Sequence, residues 1–174
     1  AVQRLHEALN FFEENSDTEG LLKTLNALGV VAHRLGDAEQ ALERYQRTLE
    51  LARETGYRER LLAALNNLGE LAAALNHLQE ARSYFTEAHD VAEEIGEPGT
   101  RAIVKVNLGK ICQLMGEHDA GEAFLRDGIT LAREVHDSIA EAEGLAMLGN
   151  ISADRGDFED AEERQNESLS LAES

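Results

Sequence analysis

The sequence predicts an all-α fold, a right-handed superhelical solenoid of about nine helices packed as antiparallel pairs, and three observations carry that prediction. The first is repetition. Leu28-Gly29, Leu68-Gly69, Leu108-Gly109 and Leu148-Gly149 fall into one column at a period of 40 residues, and Ala52, Ala92, Ala132 and Ala172 fall into another. Ala41, Ala81, Gly121 and Ala161 make a third. The second is composition: Ala, Leu and Glu dominate, there is a single proline, Pro98, and aromatic residues are only 5%. Small and aliphatic side chains must therefore form the core, and they favour helix. The third is periodicity, because Leu22, Leu25, Leu28, Gly29, Ala32 and Leu35 follow the i, i+3, i+4 spacing of a helix with one apolar face.

Residues 1–15 read as the second helix of a truncated upstream repeat: Ala1 aligns with Ala41, Leu5 with Tyr45, Leu9 with Leu49 and Phe11 with Leu51. This predicts a piece of a larger protein. Repeat 1 occupies 16–56, with Asn15-Ser16-Asp17-Thr18 as turn and cap chemistry, Gly36-Asp37 between its helices, and Thr55-Gly56 at its end. Its second helix places Ala41, Leu42, Tyr45, Thr48, Leu49 and Ala52 on one face. Repeat 2 spans 57–96, with Leu65, Leu68, Gly69, Ala72 and Leu75 answered by Ala81, Phe85, Ala88, Ala92 and Ile95. Repeat 3 spans 97–136 and opens at Pro98, a residue suited to the first turn of a helix. Gly121 and Gly128 lighten its core and predict its second helix to be the softest.

Repeat 4 covers 137–174, where Ser138 and Glu141 have the spacing of a capping box. Arg155 stands in the Leu35 column and Gln165 in the Tyr45 column, the polar drift expected of an outer repeat that faces water. The Gly29 column is expected to sit opposite the Ala41 column, where the helices of one hairpin cross at close range. All four repeats are taken as one continuous domain, 1–174.

The formal net charge is −18, from 34 acidic and 16 basic residues. Such a field opposes nucleic acid and anionic membrane surfaces; it either serves only to keep the array soluble or, where charge steers association, favours a basic partner. Neither an apolar run of membrane-spanning length nor a signal peptide is visible. One cysteine, Cys112, rules out an internal disulfide and predicts a reducing, cytoplasmic setting; it falls in a core column and reads as a small apolar residue. His6, His33, His77, His89, His118 and His136 lack metal-ligand spacing, and no acid, base or nucleophile constellation stands out. The reading is therefore of a protein that is not an enzyme, with no metal and no cofactor. His77 and His118 fall near the starts of second helices, where they replace the Asp37 cap.

At these residues the chain resembles the tetratricopeptide-repeat family. Leu25, Leu28, Gly29, Gly36, Ala41, Tyr45 and Thr48 match its pattern in repeat 1, and Leu65, Leu68, Gly69, Ala81, Phe85 and Ala88 match it in repeat 2. The period departs from the family's 34 residues, and the proline after the second helix is absent. The longer period is similar to that of kinesin light chain, spindle-orientation adaptors and bacterial signalling regulators.

The resemblance implies an adaptor, a fragment of a larger regulatory or signalling protein, that binds a peptide or protein in a concave groove lined by first helices. Mapped here, that lining begins with Lys23, Asn26, Val30 and His33, and continues with Asn66, Asn67, Glu70 and Ala73. Val106, Asn107, Lys110 and Gln113 follow, then Glu143, Met147 and Asn150. Asn67 and Asn107 precede Leu-Gly, where related repeats carry peptide-binding asparagines; a carboxamide can both donate to and accept from a peptide unit. Ala27 and Met147 interrupt that column. Lys23 and Lys110 are the only bases among these positions, so the chaperone-tail clamp of some members is not carried over. The competing expectation is self-assembly, with a homodimer formed through Phe11 and Phe12 of the unmatched first helix.

Overall fold

The computed structural model describes residues 2–172, and every element among them is a helix. In chain order these are α1 (Val2–Glu14), α2 (Thr18–Arg34), α3 (Ala38–Thr55), α4 (Arg58–Ala74), α5 (Leu78–Ile95), α6 (Pro98–Leu114), α7 (His118–Val135), α8 (Ser138–Asp154) and α9 (Phe158–Ala172). The alignment of Ala1 with Ala41 lies outside the described residues, as do Glu173 and Ser174 of the fourth repeat. The chain divides into two compact units, Ala1–Val91 and Ala92–Ser174.

In the first unit α2 packs on α3 and α4 packs on both. Leu9 of α1 joins Leu25 and Leu28 of α2 in one buried cluster. Tyr45 and Phe85, from the second helices, are almost wholly buried. In the second unit α6 pairs with α7 and α8 with α9. Val106, Leu125, Ile129, Leu145, Leu148 and Ile151 form its core.

The turns follow from local chemistry. Within repeat 1, Gly36 takes φ +78°, a left-handed value open to glycine at little cost, and Asp37 N–H then donates back to Ala32 O at 2.9 Å. Asp37 also caps α3 by accepting from Gln40 N. Asn76 fills the equivalent place in repeat 2 at φ +61°, which suits a residue tolerant of that region. Pro98 is the first residue of α6, and the Glu97 carboxylate caps it by accepting from Gly99 N and Thr100 N. A bond from the Thr100 side chain, and then these backbone bonds, hold the Glu97 carboxyl below the usual range.

Several sequence expectations are corrected. Helix α8 is capped by Asp137, which accepts from Ala140 N; Ser138 lies inside the helix and Glu141 pairs with Arg133 instead. The aspartate one residue upstream takes the cap, and the box spacing is then out of register. Leu35 is 76% exposed and Leu75 45%, so their column is not core. Each ends a first helix, where the apolar stripe has already passed beneath the turn. Leu42 is also exposed.

The second helices are joined by ion pairs between residues 34 apart, Arg47 to Glu13 and Arg53 to Glu87 in the first unit and Arg133 to Glu167 in the second. At the corresponding rung Glu93 and Asp127 are both acidic; each turns to a base on α6, Glu93 to Arg101 and Asp127 to Lys105. Exposed pairs of this kind contribute at most about 1 kcal/mol each.

Candidate first-helix recognition face

The close crossing follows the sequence expectation in repeats 3 and 4, where a β-carbon on Gly109 would meet Gly121 O at 3.1 Å and one on Gly149 would meet Ala161 O at 3.2 Å, and differs from it in repeats 1 and 2. A β-carbon on Gly29 would lie 2.5 Å from Tyr45 Cε1, so the aromatic ring rather than Ala41 fills the space that glycine leaves. In repeat 3 the aromatic is replaced by Leu125, and backbone closes in: a β-carbon on Gly121 would meet Gly109 O at 3.1 Å, and one on Gly128 would meet Val106 Cγ2 at 3.0 Å and Ala102 O at 3.2 Å. The two glycines of α7 thus mark the approach of its backbone to α6, not a vacancy in the core.

Within each unit one face of the first helices stays partly open. In the first unit that face carries Asn26, Val30 and His33 on α2 and Asn66, Asn67 and Glu70 on α4; all are half-buried except Glu70, which is exposed. Asn67 Nδ2 donates to Asn26 Oδ1 at 2.7 Å, linking residues 41 apart. One repeat plus one residue brings the same face of the next first helix alongside. The bonded pair still carries Asn67 Oδ1 as an acceptor and the Asn26 amide as a donor. Lys23, at the same end of α2, is engaged with Glu19 at 2.5 Å and holds that carboxyl below its usual range. Burial, followed by the negative charge of Glu70, pushes the Tyr45 phenol up to about 12.

In the second unit Gln113 Nε2 donates to Asp154 Oδ2 at 2.9 Å, again across 41 residues. His118 Nε2 lies 3.5 Å from the same carboxylate. Asp154 was missed from sequence, because an alignment at 40 places it one step away from its partner's column. His118 is the first residue of α7, which has no side-chain cap, so its role is this contact and not capping. Asn107 is 9% exposed and Lys110 exposed. Val106 is not on the face at all: it is 2% exposed and packs on Leu125 and Ile129.

Asn150 Nδ2 points to Met147 Sδ at 3.9 Å, and Asn150 Oδ1 accepts from Gln165 Nε2 at 3.2 Å. Gln165 also donates to Ala146 O at 3.1 Å. Glu143 and Met147 line an open, mostly apolar cavity of about 460 Å³ together with Ala142, Ala146, Ser168 and Leu171.

Of the polar residues of repeat 4, Arg155 is exposed, as expected of an outer repeat, and also bonds across to α7, whereas Gln165 is half-buried. Arg155 reaches Glu122 at 2.5 Å and Asp119 at 2.6 Å on α7. Arg155, then Arg126, hold the Glu122 carboxyl below its usual range. Asp160 accepts from Arg164 at 2.6 Å and from the Ser152 hydroxyl, and these bonds hold it down at about 2. Cys112 is buried, as its column implied. Among the described residues no group of His, Cys, Asp and Glu could hold a metal ion, and no helix is long and apolar enough to cross a membrane.

A family model described as tetratricopeptide repeat matches residues 20–94 and 100–174. No curated protein matches the sequence. Among solved structures, BtubC (BKLC) from P. vanneervenii is similar over 89% of this chain and 64% of its own, with 21% identity and a TM-score of 0.77. The apo form of RapI is similar over 99% of this chain and 48% of its own, at 13% identity and 0.83. A Signal Transduction ATPase with Numerous Domains protein with a tetratricopeptide repeat sensor, PH0952 from Pyrococcus horikoshii, is similar over 98% and 27%, at 16% identity and 0.78. The chain therefore spans less than two thirds of these three proteins, and the likeness is one of fold.

Proposed function

The chain belongs to the tetratricopeptide-repeat family, and on that premise we propose that it is a non-enzymatic protein-interaction scaffold whose first helices receive a peptide or protein segment. The observation that carries this reading is the Asn26–Asn67 rung, a half-buried carboxamide pair at 2.7 Å on the open face of α2 and α4. Such a pair offers an acceptor and a donor at fixed spacing, which is what a peptide unit requires independent of its side chain. In this reading Lys110, Gln113, Met147 and Asn150 would serve the same purpose in the second unit, with Asn107 buried beside them. The net charge of −18 makes a basic segment the favoured ligand. An adaptor or sensor in a cytoplasmic signalling protein is the role that this chemistry fits best; PH0952 carries such repeats as a sensor.

The test is selection of ligands from a displayed library of random linear peptides, followed by titration of the winners. Winners should be rich in Lys and Arg and should lose affinity about tenfold in the Asn26→Ala/Asn67→Ala variant, whose melting temperature stays near the parent's. Undiminished affinity in that variant would refute the assignment.

The second reading is self-assembly through α1, favoured by Phe11, which is 59% exposed and meets Phe12 edge-on at 5.5 Å. Phe12 itself is committed inside the fold, since its ring lies over Gly20. A Phe11→Ser variant distinguishes the two: a dimer in sedimentation that this change dissolves would support assembly, and monomer at high concentration would dismiss it.

A further inference from the structure

We propose that the groove between α7 and α9 is a binding site for a phosphate monoester, held by Arg126, Arg133 and Arg164. The three arginines line one cavity of about 210 Å³ together with Thr130 and Glu167, over a floor that includes Leu145 and Leu148. That volume is below the roughly 300–1,000 Å³ of sites for drug-sized ligands, so the occupant is a small group. The groove lies wholly within the second unit, and its wall α7 already has α6 and α8 packed on it. It is separate from the Asn26–Asn67 rung and does not rest on that reading.

The first unit supplies an internal comparison, two repeats earlier in the same register. There the Arg53–Glu87 pair stands for Arg133–Glu167, and Leu65 and Leu68 for Leu145 and Leu148. Gln46, Glu50 and Tyr84 stand where α7 and α9 have Arg126, Thr130 and Arg164. All three differences run toward positive charge. In the first unit Arg53 against Glu50 and Glu87 leaves one negative charge over, whereas around the cavity Arg126, Arg133 and Arg164 against Glu167 leave two positive. A chain of net charge −18 thus keeps a locally cationic cavity on its second helices.

The arginines are oriented but not saturated. Arg126 bonds Glu122, Arg164 bonds Asp160, and Arg133 bonds Glu141 and Glu167, in every case through Nε and Nη2. Nη1 of each guanidinium carries two further N–H donors. The carboxylates fix the direction of each fork, which lowers the ordering that a ligand must impose. A phosphate monoester brings close to two charges and three terminal oxygens to three guanidiniums, and so competes well with the single charge of the exposed Glu167 for Arg133. The leucine floor suits the carbon side of the ester.

The probe is phenyl phosphate, titrated at physiological salt into the 174-residue chain and followed by the arginine Nε–Hε NMR signals. We expect saturable shifts at Arg126, Arg133 and Arg164 with a Kd of about 1 mM or tighter. Binding should weaken at least about tenfold in the Arg126→Gln/Arg164→Tyr variant, which installs the side chains of the first unit. An unchanged melting curve verifies that variant's fold. Glu167→Gln removes a competing carboxylate and should bind about threefold tighter or more, which decides the matter even where the double variant melts early. The Asn26→Ala/Asn67→Ala variant should bind the probe as the parent does, so failure of the first-helix reading leaves this site standing. A phosphotyrosine peptide separates the sources: tighter binding than phenyl phosphate assigns the site to a phosphorylated protein segment, and equal or weaker binding to a free small-molecule ester. Absence of saturable shifts, shifts as large at Arg53, benzoate binding as tightly as phenyl phosphate, undiminished affinity in the double variant or no gain in Glu167→Gln would overturn the proposal.

Discussion

The ring of Phe85 lies over the backbone of Gly69, so close that a β-carbon on Gly69 would stand 2.7 Å from both Cε1 and Cζ. Phe85 is 2% exposed, so its ring is enclosed by the fold. Gly69→Ala is therefore expected to destabilise the first unit by about 1–3 kcal/mol, and Gly69→Leu by more. At Gly149 the nearest atoms are Gln165 Nε2 at 3.1 Å and Ala161 O at 3.2 Å, tight contacts but without the overlap found at Gly69. Gly149→Ala should cost clearly less than Gly69→Ala. Urea midpoints of the two variants test the ranking, and equal losses would show that the ring contact is not what selects glycine.

The start of α8 separates two readings of one short stretch. Asp137 Oδ1 accepts from Ala140 N at 3.1 Å, whereas Ser138 is already helical. Asp137→Ala is expected to lose about 1 kcal/mol and Ser138→Ala close to nothing. Thermal melts of the pair decide; a larger loss at Ser138 would restore the capping box.

Asp160 gives the acid dependence a definite sign. Its carboxyl drops from the usual 3.8 to about 2 because Arg164, and then Ser152, bond its charged form. A group whose native value is depressed adds stability above its unfolded value and loses it as pH falls toward the native one. The advantage of the parent over Asp160→Asn should thus be full near pH 5 and shrink between about pH 4 and 2. Denaturant midpoints across that range measure it, and a gap that widens on acidification would contradict the assignment.

How much of this was legible in the sequence depends on whether a feature obeys the 40-residue ruler. Helix pairing, the glycine turn at Gly36 and the opening at Pro98 are local and were readable. Contacts at other offsets were not. The Asn26–Asn67 and Gln113–Asp154 rungs run at 41 and the Arg47–Glu13 pair at 34, and neither offset appears in an alignment of columns. Identity also misled where burial changes along one stripe: Leu28 and Leu35 look alike in sequence, yet one is 5% exposed and the other 76%. Gln165 looked like loss of a core residue, but its amide bonds Ala146 O and Asn150 within the fold.

The central claim is that recognition occurs on the open side of α2 and α4, where Asn67 bonds Asn26. Side-chain amide NMR during titration with a library-selected peptide tests it most directly. The Asn26 and Asn67 NH₂ signals should shift saturably, ahead of resonances from α3 and α5. Shifts confined to those second helices, with both asparagine signals unmoved at saturation, would contradict it.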